Sequence, residues 1–214
     1  MAERGLFLVL EGVEGAGKST QARRLAEWIG ARGREVVLTR EPGGTDVGEA
    51  IRRVLLEGPE MPARSELLLM LAARAALVDQ VIRPALKAGK VVVADRFDLS
   101  TLAYQGAGRD LGQDRVGTLN AFAVSGIRPD LTILLEIEAS SGAARKRRGG
   151  SGPDRIERET KAFHQRVAEA YRTLAAGSEQ TAIVDARPAQ DAVQQAIREV
   201  LRARFPETFR ARAG

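Results

Sequence analysis

The stretch Gly12-Val13-Glu14-Gly15-Ala16-Gly17-Lys18-Ser19 decides the fold of this chain. It matches the pattern G-x-x-x-x-G-K-[ST], in which backbone N–H groups surround a phosphate, the lysine reaches the β- and γ-phosphates and the hydroxyl ligates Mg²⁺. An apolar run at 6–10 predicts a buried strand before it, and the pattern at 18–32 predicts a helix after it. Because a helix N-terminus attracts anions, this context predicts a nucleoside triphosphate site. The residues expected to form it are Gly12, Val13, Glu14, Gly15, Ala16, Gly17, Lys18, Ser19 and Thr20.

The rest of the chain alternates short apolar runs with helical patterns. Strands are predicted at 35–39, 91–95, 131–135 and 182–185, and helices at 46–56, 65–89 with a bend at Pro84, 114–125, 153–176 and 189–204. This alternation is typical of a parallel sheet that is covered on both faces. The prediction is an α/β, P-loop NTPase three-layer fold, with a five-stranded parallel sheet, helices on both faces and a small basic lid. We expect one domain over 1–214, with the lid at about 143–158 and a frayed tail at 205–214.

Composition excludes several classes of site. The 214 residues contain no cysteine, which excludes disulfide scaffolds, thiolate metal sites and cysteine nucleophiles. A single histidine excludes a metal site made of several histidines. The net charge of +5 favours anionic partners without choosing among them. The sequence shows neither a signal-peptide pattern nor an apolar run long enough to cross a bilayer, so we expect a cytoplasmic protein without a membrane partner.

Charged residues follow two of the predicted strands at the point where each strand ends. Arg40 follows the second strand, and Asp95 and Arg96 end the third. Ligands bind beyond the carboxyl ends of strands in an open parallel sheet, so these side chains are expected beside the phosphate loop. Asp95 is predicted to hold Mg²⁺ through water, together with Ser19. Two guanidinium groups beside that site favour a second phosphate, that of an acceptor, over ordinary surface ion pairs.

Two further segments leave alternatives open. Met70 and Arg74 share one helix face, which suits either contact with a base or a core methionine beside a snorkelling arginine. Residues 145–158 contain six basic residues among fourteen around a Gly-Gly-Ser-Gly sequence. This segment is interpreted as a mobile lid that brings an arginine to a transferring phosphoryl group, with a solvated loop or a nucleic-acid patch as the alternative.

The loop alone does not name the reaction. A regulatory GTPase would carry Asn-Lys-x-Asp after a later strand, and the ends of the fourth and fifth strands lack it. A motor ATPase usually needs a longer chain. A kinase of a phosphate monoester needs no general base, because the acceptor is largely a dianion at neutral pH.

Three segments in register resemble the thymidylate kinase family. They are the phosphate loop with its neighbours Glu11 and Thr20, the sequence Thr-Arg-Glu-Pro-Gly-Gly-Thr at 39–45, and Asp-Arg-Phe-Asp-Leu-Ser-Thr-Leu-Ala-Tyr-Gln-Gly at 95–106. The similarity runs from about residue 6 to residue 201. It implies transfer of the γ-phosphoryl group of ATP to dTMP, giving dTDP and ADP in dTTP biosynthesis. It also implies Mg²⁺ as cofactor, and a homodimer.

The resemblance implies residue roles as well. Arg40 and Arg96 hold the dTMP phosphate, Arg74 and Gln105 meet the thymine edge, and Tyr104 crowds the 2′ position of the sugar. The remaining residues expected at dTMP are Pro42, Ser100 near the base, Met70 where the family usually has a stacking Phe, and Tyr171 closing over the nucleoside. The catalytic residues implied are Lys18, Arg96, Glu14 near the dTMP sugar, and the lid residue Arg148. Arg145, Arg147 and Arg155 are the other lid candidates.

Two other functions remain as alternatives. One is a kinase of a different nucleoside monophosphate. The other is a nucleic-acid-stimulated ATPase, which the basic lid favours. The low aromatic content of 4% argues against it, because few side chains are available to stack on bases, and we expect no nucleic-acid partner.

Overall fold

A computed structural model describes residues 4–148 and 154–209 of the chain. Within them, five strands form one parallel sheet in the order β2-β3-β1-β4-β5. The strands are β1 (Phe7–Glu11), β2 (Val36–Arg40), β3 (Val91–Asp95), β4 (Leu131–Glu136) and β5 (Thr181–Asp185). The predicted fold class is confirmed, and each predicted strand lies within one residue of its observed position.

Strand β1 is the middle strand of the sheet, and both of its faces are buried. Leu8 and Leu10 pack into one hydrophobic cluster, whereas Phe7 and Val9 pack into another on the opposite face. Side chains alternate between faces along a strand, so a run of consecutive apolar residues serves a sheet that is covered on both sides. The edge strands β2 and β5 are more exposed, and they leave Leu38 and Ile183 about half accessible.

Helices connect the strands and cover the sheet. They are α1 (Lys18–Gly30), α2 (Asp46–Glu57), α3 (Ala63–Leu77), α4 (Arg83–Lys87), α5 (Asp98–Thr101), α6 (Gln113–Val124), α7 (Ala139–Arg148), α8 (Lys161–Ala176), α9 (Gln190–Arg204) and α10 (Pro206–Phe209). Two π-helical segments, Val78–Ile82 and Leu102–Gly108, lie between α3 and α4 and after α5. None of the described helices is long and apolar enough to cross a membrane.

The helix predicted over 65–89 changes its hydrogen-bond pattern before Pro84. Proline has no N–H to donate to the carbonyl four residues earlier, so a regular α-helical turn cannot form there. The wide turn at Val78–Ile82 absorbs this loss, and α4 follows it with Pro84 in its first turn.

Two local predictions were wrong. The helix predicted over 153–176 begins only at Lys161, as α8, and the preceding Thr160 caps it because its hydroxyl accepts from the Phe163 N–H. The helical residues 98–108 were not predicted, because their glycines weaken a helix that tertiary packing stabilises. A Cβ on Gly108 would lie 2.7 Å from the Phe163 ring.

The chain end was predicted to fray, and the described part of it is ordered. Helix α10 places Phe209 in the core, with its ring 5.5 Å from that of Trp28. Two phenylalanines, Phe205 and Phe209, in an arginine-rich stretch gave no periodic signal. Residues 210–214 lie outside the described residues.

Candidate active site

A cavity of about 620 Å³ opens at the carboxyl ends of β1, β2 and β3. Its lining at one end includes the phosphate loop and the segment Ala186–Gln190, and at the other Met70 and Gln105. The loop after β1, the arginine after β2 and the residues after β3 meet here because parallel strands end at the same edge. The cavity is therefore one continuous space between the phosphate loop and a group of partly apolar side chains.

The phosphate loop is held by main-chain geometry. Gly17 has a φ of 94° immediately before α1, a conformation that suits glycine. Lys18 Nζ donates to the carbonyls of Gly12 at 3.0 Å and Val13 at 2.8 Å. Burial and the neighbouring Arg96 lower the pKa of Lys18 to about 8, although nearby carboxylates oppose this shift. Lys18 Nζ is thus held inside the loop by two carbonyls, and no carboxylate among the described residues pairs with it.

Helix α7 packs directly on the phosphate loop. A Cβ on Gly15 would lie 1.9 Å from the Gly142 carbonyl oxygen, and a Cβ on Gly142 would lie 2.1 Å from the Glu14 carbonyl oxygen. This close approach requires glycine at both positions. Helix α7, in which the predicted lid begins, is therefore packed against the phosphate loop.

Ser19 and Asp95 are suitable for a divalent cation. The Ser19 hydroxyl donates to Asp95 Oδ2, and Asp95 Oδ1 is buried without a hydrogen-bond partner among the described residues. Hydroxyl and carboxylate oxygens are the ligand type that Mg²⁺ prefers. The side chains present fit the predicted magnesium site.

Arg96 lies in the middle part of the cavity and binds several of the groups around it. It follows β3 with a φ of 75°, a left-handed conformation that is rare outside glycine. Its guanidinium donates to five groups: the Gly12 carbonyl, Ser100 Oγ, the Tyr171 and Tyr104 hydroxyls and the Glu14 carboxylate. A strained backbone held by this many contacts indicates a functional position.

Glu11 Oε2 lies 4.0 Å from Arg96 Nη1 in the core, and Glu11 was not predicted as a site residue. It is fully buried at the end of β1, and its carboxylate accepts from four donors: Phe97 N at 2.9 Å, Ser100 N at 3.0 Å, Ser100 Oγ at 2.6 Å and the Tyr171 hydroxyl at 2.9 Å. Burial raises its pKa, with Arg96 the main opposing influence. The available signal was an acidic residue that ends an otherwise apolar strand.

Glu14 connects Arg96 to α7. Its carboxylate accepts from Arg96 and lies 3.5 Å from Lys146 Nζ. Although burial opposes ionisation, Arg96, Lys18 and Lys146 hold the pKa of Glu14 well below its usual value. The carboxylate is therefore an anion between a strand-end arginine and the lid helix.

Arg74 is buried with every N–H engaged by protein. It binds the Glu41 carboxylate through Nε and Nη2, and it also donates to Thr101 Oγ1, Asn120 Oδ1 and the Phe97 carbonyl. Arg74 lines the cavity. Contact with a base requires exchange of one of these bonds, so that role stays a prediction. The alternative of a snorkelling arginine is wrong, because the Arg74 guanidinium is buried in an ion pair with Glu41 and does not reach solvent.

The far end of the cavity mixes apolar and polar side chains. Its lining includes Pro42, Leu56, Met70, Ser100, Tyr104, Gln105 and Ile156. Arg40 and Arg52 lie at its border: Arg40 is exposed and pairs with Glu49 at 3.1 Å, and Arg52 donates to the Pro42 carbonyl at 2.8 Å. Arg52 was not predicted, since nothing in its spacing on α2 distinguishes it from its neighbour Arg53.

Tyr171 does not reach the cavity. It is 1% exposed in the core and contacts Arg96, Ser100 and Glu11 through its hydroxyl. Helix α8 packs against 98–108 and turns this ring toward the sheet, so its expected position over a nucleoside stays a prediction. In this structure Tyr171 meets the cavity through two residues that line it, Arg96 and Ser100.

The lid arginines separate into different environments. Arg145 donates to the carbonyls of Ala186 at 2.6 Å and Arg187 at 2.7 Å beside the cavity. Arg155 is fully buried, where it donates to the Leu55 carbonyl at 2.8 Å, so it is no mobile lid residue. Helix α7 extends to Arg148, but the side chains of Arg147 and Arg148 lie outside the described residues, as do residues 149–153.

Comparison with known proteins identifies the family of this chain. A family model described as thymidylate kinase matches residues 10–197. A thymidylate kinase of Nostoc punctiforme is 46% identical over 202 residues, which are 92% of this chain and 96% of the relative. A thymidylate kinase of Pseudomonas fluorescens is 50% identical over 200 residues, which are 92% of this chain and 95% of the relative.

A solved structure gives the same result. The crystal structure of thymidylate kinase from Ehrlichia chaffeensis is similar with a TM-score of 0.75 and 28% sequence identity, over 93% of this chain and 99% of that chain. The resemblance that the three sequence segments indicated is confirmed. The chain belongs to the thymidylate kinase family.

Proposed function

We propose that the cavity aligns ATP and dTMP for direct phosphoryl transfer. As a thymidylate kinase, the protein catalyses the ATP-dependent phosphorylation of dTMP to dTDP. The observation that carries the proposed arrangement is the continuity of the cavity from Lys18 past Arg96 to Gln105. We call the part at the phosphate loop the donor end, and the part from Arg96 to Gln105 the acceptor end.

The donor end takes the phosphates of ATP. Residues Gly12–Thr20 supply backbone N–H groups, and Lys18 exchanges its two carbonyl partners for phosphate oxygens. Ser19 and, through water, Asp95 would hold Mg²⁺, which neutralises phosphate charge when bound. Arg145 and the segment Ala186–Gln190 border the space that is left for the adenosine.

The acceptor phosphate belongs at Arg96, with Arg40 at the border. The dTMP phosphate replaces Glu14 at Nη2 of the Arg96 guanidinium, since both are anions that suit the same donor. Glu14 then lies near the sugar. No group has to remove a proton, because the acceptor oxygen arrives ionised. Alignment and charge neutralisation by Lys18 and Arg96 therefore supply the catalysis.

The thymine lies at the far part of the acceptor end. Met70 gives a flat apolar contact to the base face, because a thioether is polarizable and adapts its shape. Pro42 and Ser100 border the nucleoside, Tyr104 stands at the 2′ side of the sugar, and Gln105 meets the base edge. Arg74 acts here by holding Glu41 beside Pro42.

We further propose one kinase domain over 1–214 with a lid within the predicted range of about 143–158, from which the buried Arg155 is excluded, that closes over the transferring group. Arg148 is the candidate that reaches the γ-phosphoryl group. Support comes from the position of α7 on the phosphate loop and from the pairing of Lys146 with Glu157 across the undescribed segment. We also propose a cytoplasmic location, because the reaction uses ATP and a free nucleotide, and fractionation of the source cells tests this.

The acceptor is tested by ADP release from ATP–Mg²⁺ with dTMP, dUMP, UMP, dCMP, AMP and GMP, and separately with single-stranded DNA. We expect dTMP to give the highest kcat/KM. Activity confined to another monophosphate contradicts the acceptor assignment and leaves the donor end intact. Stimulation by DNA alone favours the ATPase alternative.

We also propose a homodimer through helices α2, α3 and α6. Large exposed apolar side chains concentrate on these adjoining helices: Val47, Val54, Leu68, Leu119 and Phe122, the last 88% exposed. Such patches mark interaction surfaces. Light scattering is expected to give twice the chain mass, and Phe122→Glu to give monomers. Ile183→Glu, on the edge strand β5, is the matched control; a monomeric wild type contradicts this proposal.

A further inference from the structure

Glu66 on α3 is a fully buried carboxylate whose hydrogen bonds to described residues are with Gln105, Arg109 and Arg155. Its Oε1 accepts from Gln105 Nε2 at 2.9 Å and from Arg109 Nε at 3.1 Å. Its Oε2 accepts from Arg109 Nη2 at 2.9 Å and from Arg155 Nη2 at 2.7 Å. Four donors on two oxygens fix the position and rotation of the carboxylate.

Glu66 is ionised in this environment. Burial raises its pKa, but the hydrogen bonds from Arg109, Gln105 and Arg155 outweigh burial and hold the pKa below its usual value. An ionised carboxylate has no hydrogen to donate and can only accept. The amide of Gln105 must therefore present its NH₂ group to Glu66.

This contact decides which atom Gln105 offers to the cavity. Gln105 lines the cavity at the acceptor end, and its side chain has one donor group and one acceptor group. With the NH₂ group held by Glu66, the carbonyl oxygen Oε1 is left for a ligand. A carbonyl oxygen pairs with a ring N–H and is mismatched with a bare ring nitrogen, which also accepts.

We propose that Glu66 is a positioning residue that orients the Gln105 amide, so that the enzyme accepts a base with an N3–H and rejects one with a bare N3. Thymine and uracil carry that hydrogen, whereas cytosine does not. The inference rests on the proposed position of thymine at Gln105. Arg109 and Arg155 take part by preventing rotation of the carboxylate.

The test replaces the Glu66 carboxylate, which only accepts hydrogen bonds, with an amide, which also donates them. In Glu66→Gln the new amide can donate to Gln105 Oε1, which lets the Gln105 amide turn over. The ratio of kcat/KM for dTMP to kcat/KM for dCMP is expected to fall about tenfold or more. A ratio measured on one preparation does not depend on the folded fraction, so loss of stability alone leaves it unchanged. An unchanged ratio overturns the inference.

The matched control is Glu159→Gln. Glu159 binds the same Arg109 guanidinium but not Gln105, so this variant disturbs the ion network without freeing the amide. We expect it to keep the wild-type ratio. A fall equal to that of Glu66→Gln means that the network, and not the amide, sets selectivity, which contradicts the inference.

Gln105→Ala separates the inference from the proposed function. If thymine lies at Gln105, this variant lowers the dTMP/dCMP ratio, and adding Glu66→Gln to it changes the ratio no further. A normal ratio in Gln105→Ala contradicts the position proposed for thymine. A lowered ratio there with a normal ratio in Glu66→Gln contradicts only the orienting role of Glu66.

The wild type provides a test that needs no folded Glu66 variant. In ¹⁵N spectra the Gln105 side-chain NH₂ signal is identified by its loss in Gln105→Ala. Because Glu66 holds one of these hydrogens, that hydrogen is expected to exchange slowly with solvent both with and without dTMP. Rapid exchange in both states would falsify the assigned orientation.

Discussion

The donor end of the cavity uses main-chain groups, whereas the acceptor end uses buried side chains. At the donor end, glycines permit the turn, and Lys18 bonds only to two carbonyls. At the acceptor end, Arg96 and Glu66 each bind several side chains from distant parts of the chain. We therefore expect that donor-end side chains can be removed with little structural loss, whereas acceptor-end charges also support the fold.

The largest effect on stability is expected at the acceptor end. Arg96→Ala leaves the buried Glu11 without its neighbouring cation and takes one of two cations from Glu14, and breaking such a buried group costs about 3–5 kcal/mol. The midpoint of denaturant unfolding should fall accordingly. Arg40→Ala is the matched control, since Arg40 is exposed with one partner and its loss should cost under about 1 kcal/mol. Equal stability of the two variants would remove the distinction between the two ends.

The next effect is catalytic and lies at the donor end. Lys18→Ala should lower kcat by about 10²–10³-fold or more, because a charge aimed at the transferring group is lost. Its unfolding midpoint should stay near that of the wild type, because Nζ pairs with no carboxylate. Steady-state kinetics and denaturant unfolding measure both quantities on one preparation. Retained turnover refutes the assignment of the phosphate loop.

A smaller effect is expected where α7 meets the phosphate loop. Gly142→Ala places a methyl group 2.1 Å from the Glu14 carbonyl, so either α7 or the loop must shift. The KM for ATP should rise about fivefold or more, while the dissociation constant for dTMP changes little. The control is Gly177→Ala, whose Cβ has ordinary contacts of 3.7 Å and 3.8 Å. A normal KM in Gly142→Ala means that α7 does not constrain the loop.

The smallest effect is a pH dependence. With a pKa of about 8, Lys18 is charged below that pH and loses its charge above it. The value of kcat/KM for ATP should therefore fall as the pH rises through about 8. Stability moves in the opposite direction: the folded pKa lies below the unfolded value of 10.5, so the unfolded chain binds more protons between them and stability rises with pH. A flat kcat/KM profile from pH 7 to pH 9.5 contradicts the lowered pKa of Lys18.

The sequence predicted the donor end almost completely, because its residues are contiguous. One pattern of eight residues contains the glycines, the lysine and the hydroxyl, and the strand before it and helix after it are local features. Asp95 and Arg96 were also predictable, since they end an apolar strand. These signals depend on spacing within one segment.

The acceptor end was predicted only in part, because its contacts join residues far apart. Glu66 and Arg155 are 89 positions apart, and Tyr171 and Glu11 are 160 apart. Nothing in the local pattern distinguishes a buried Glu66 from an exposed helical glutamate, or a pinned Arg155 from a lid arginine. Likewise the inward turn of Tyr171 depends on packing between α8 and residues 98–108.

The most direct test of the comparison is calorimetric titration of ATP–Mg²⁺ and dTMP, each alone, into Lys18→Ala and Arg96→Lys. The lysine in the second variant keeps the positive charge but not the fork that binds two phosphate oxygens. We expect Lys18→Ala to lose ATP affinity and keep dTMP affinity, and Arg96→Lys to do the reverse. If each variant loses affinity for both ligands to the same extent, the donor end and the acceptor end are not separate sites.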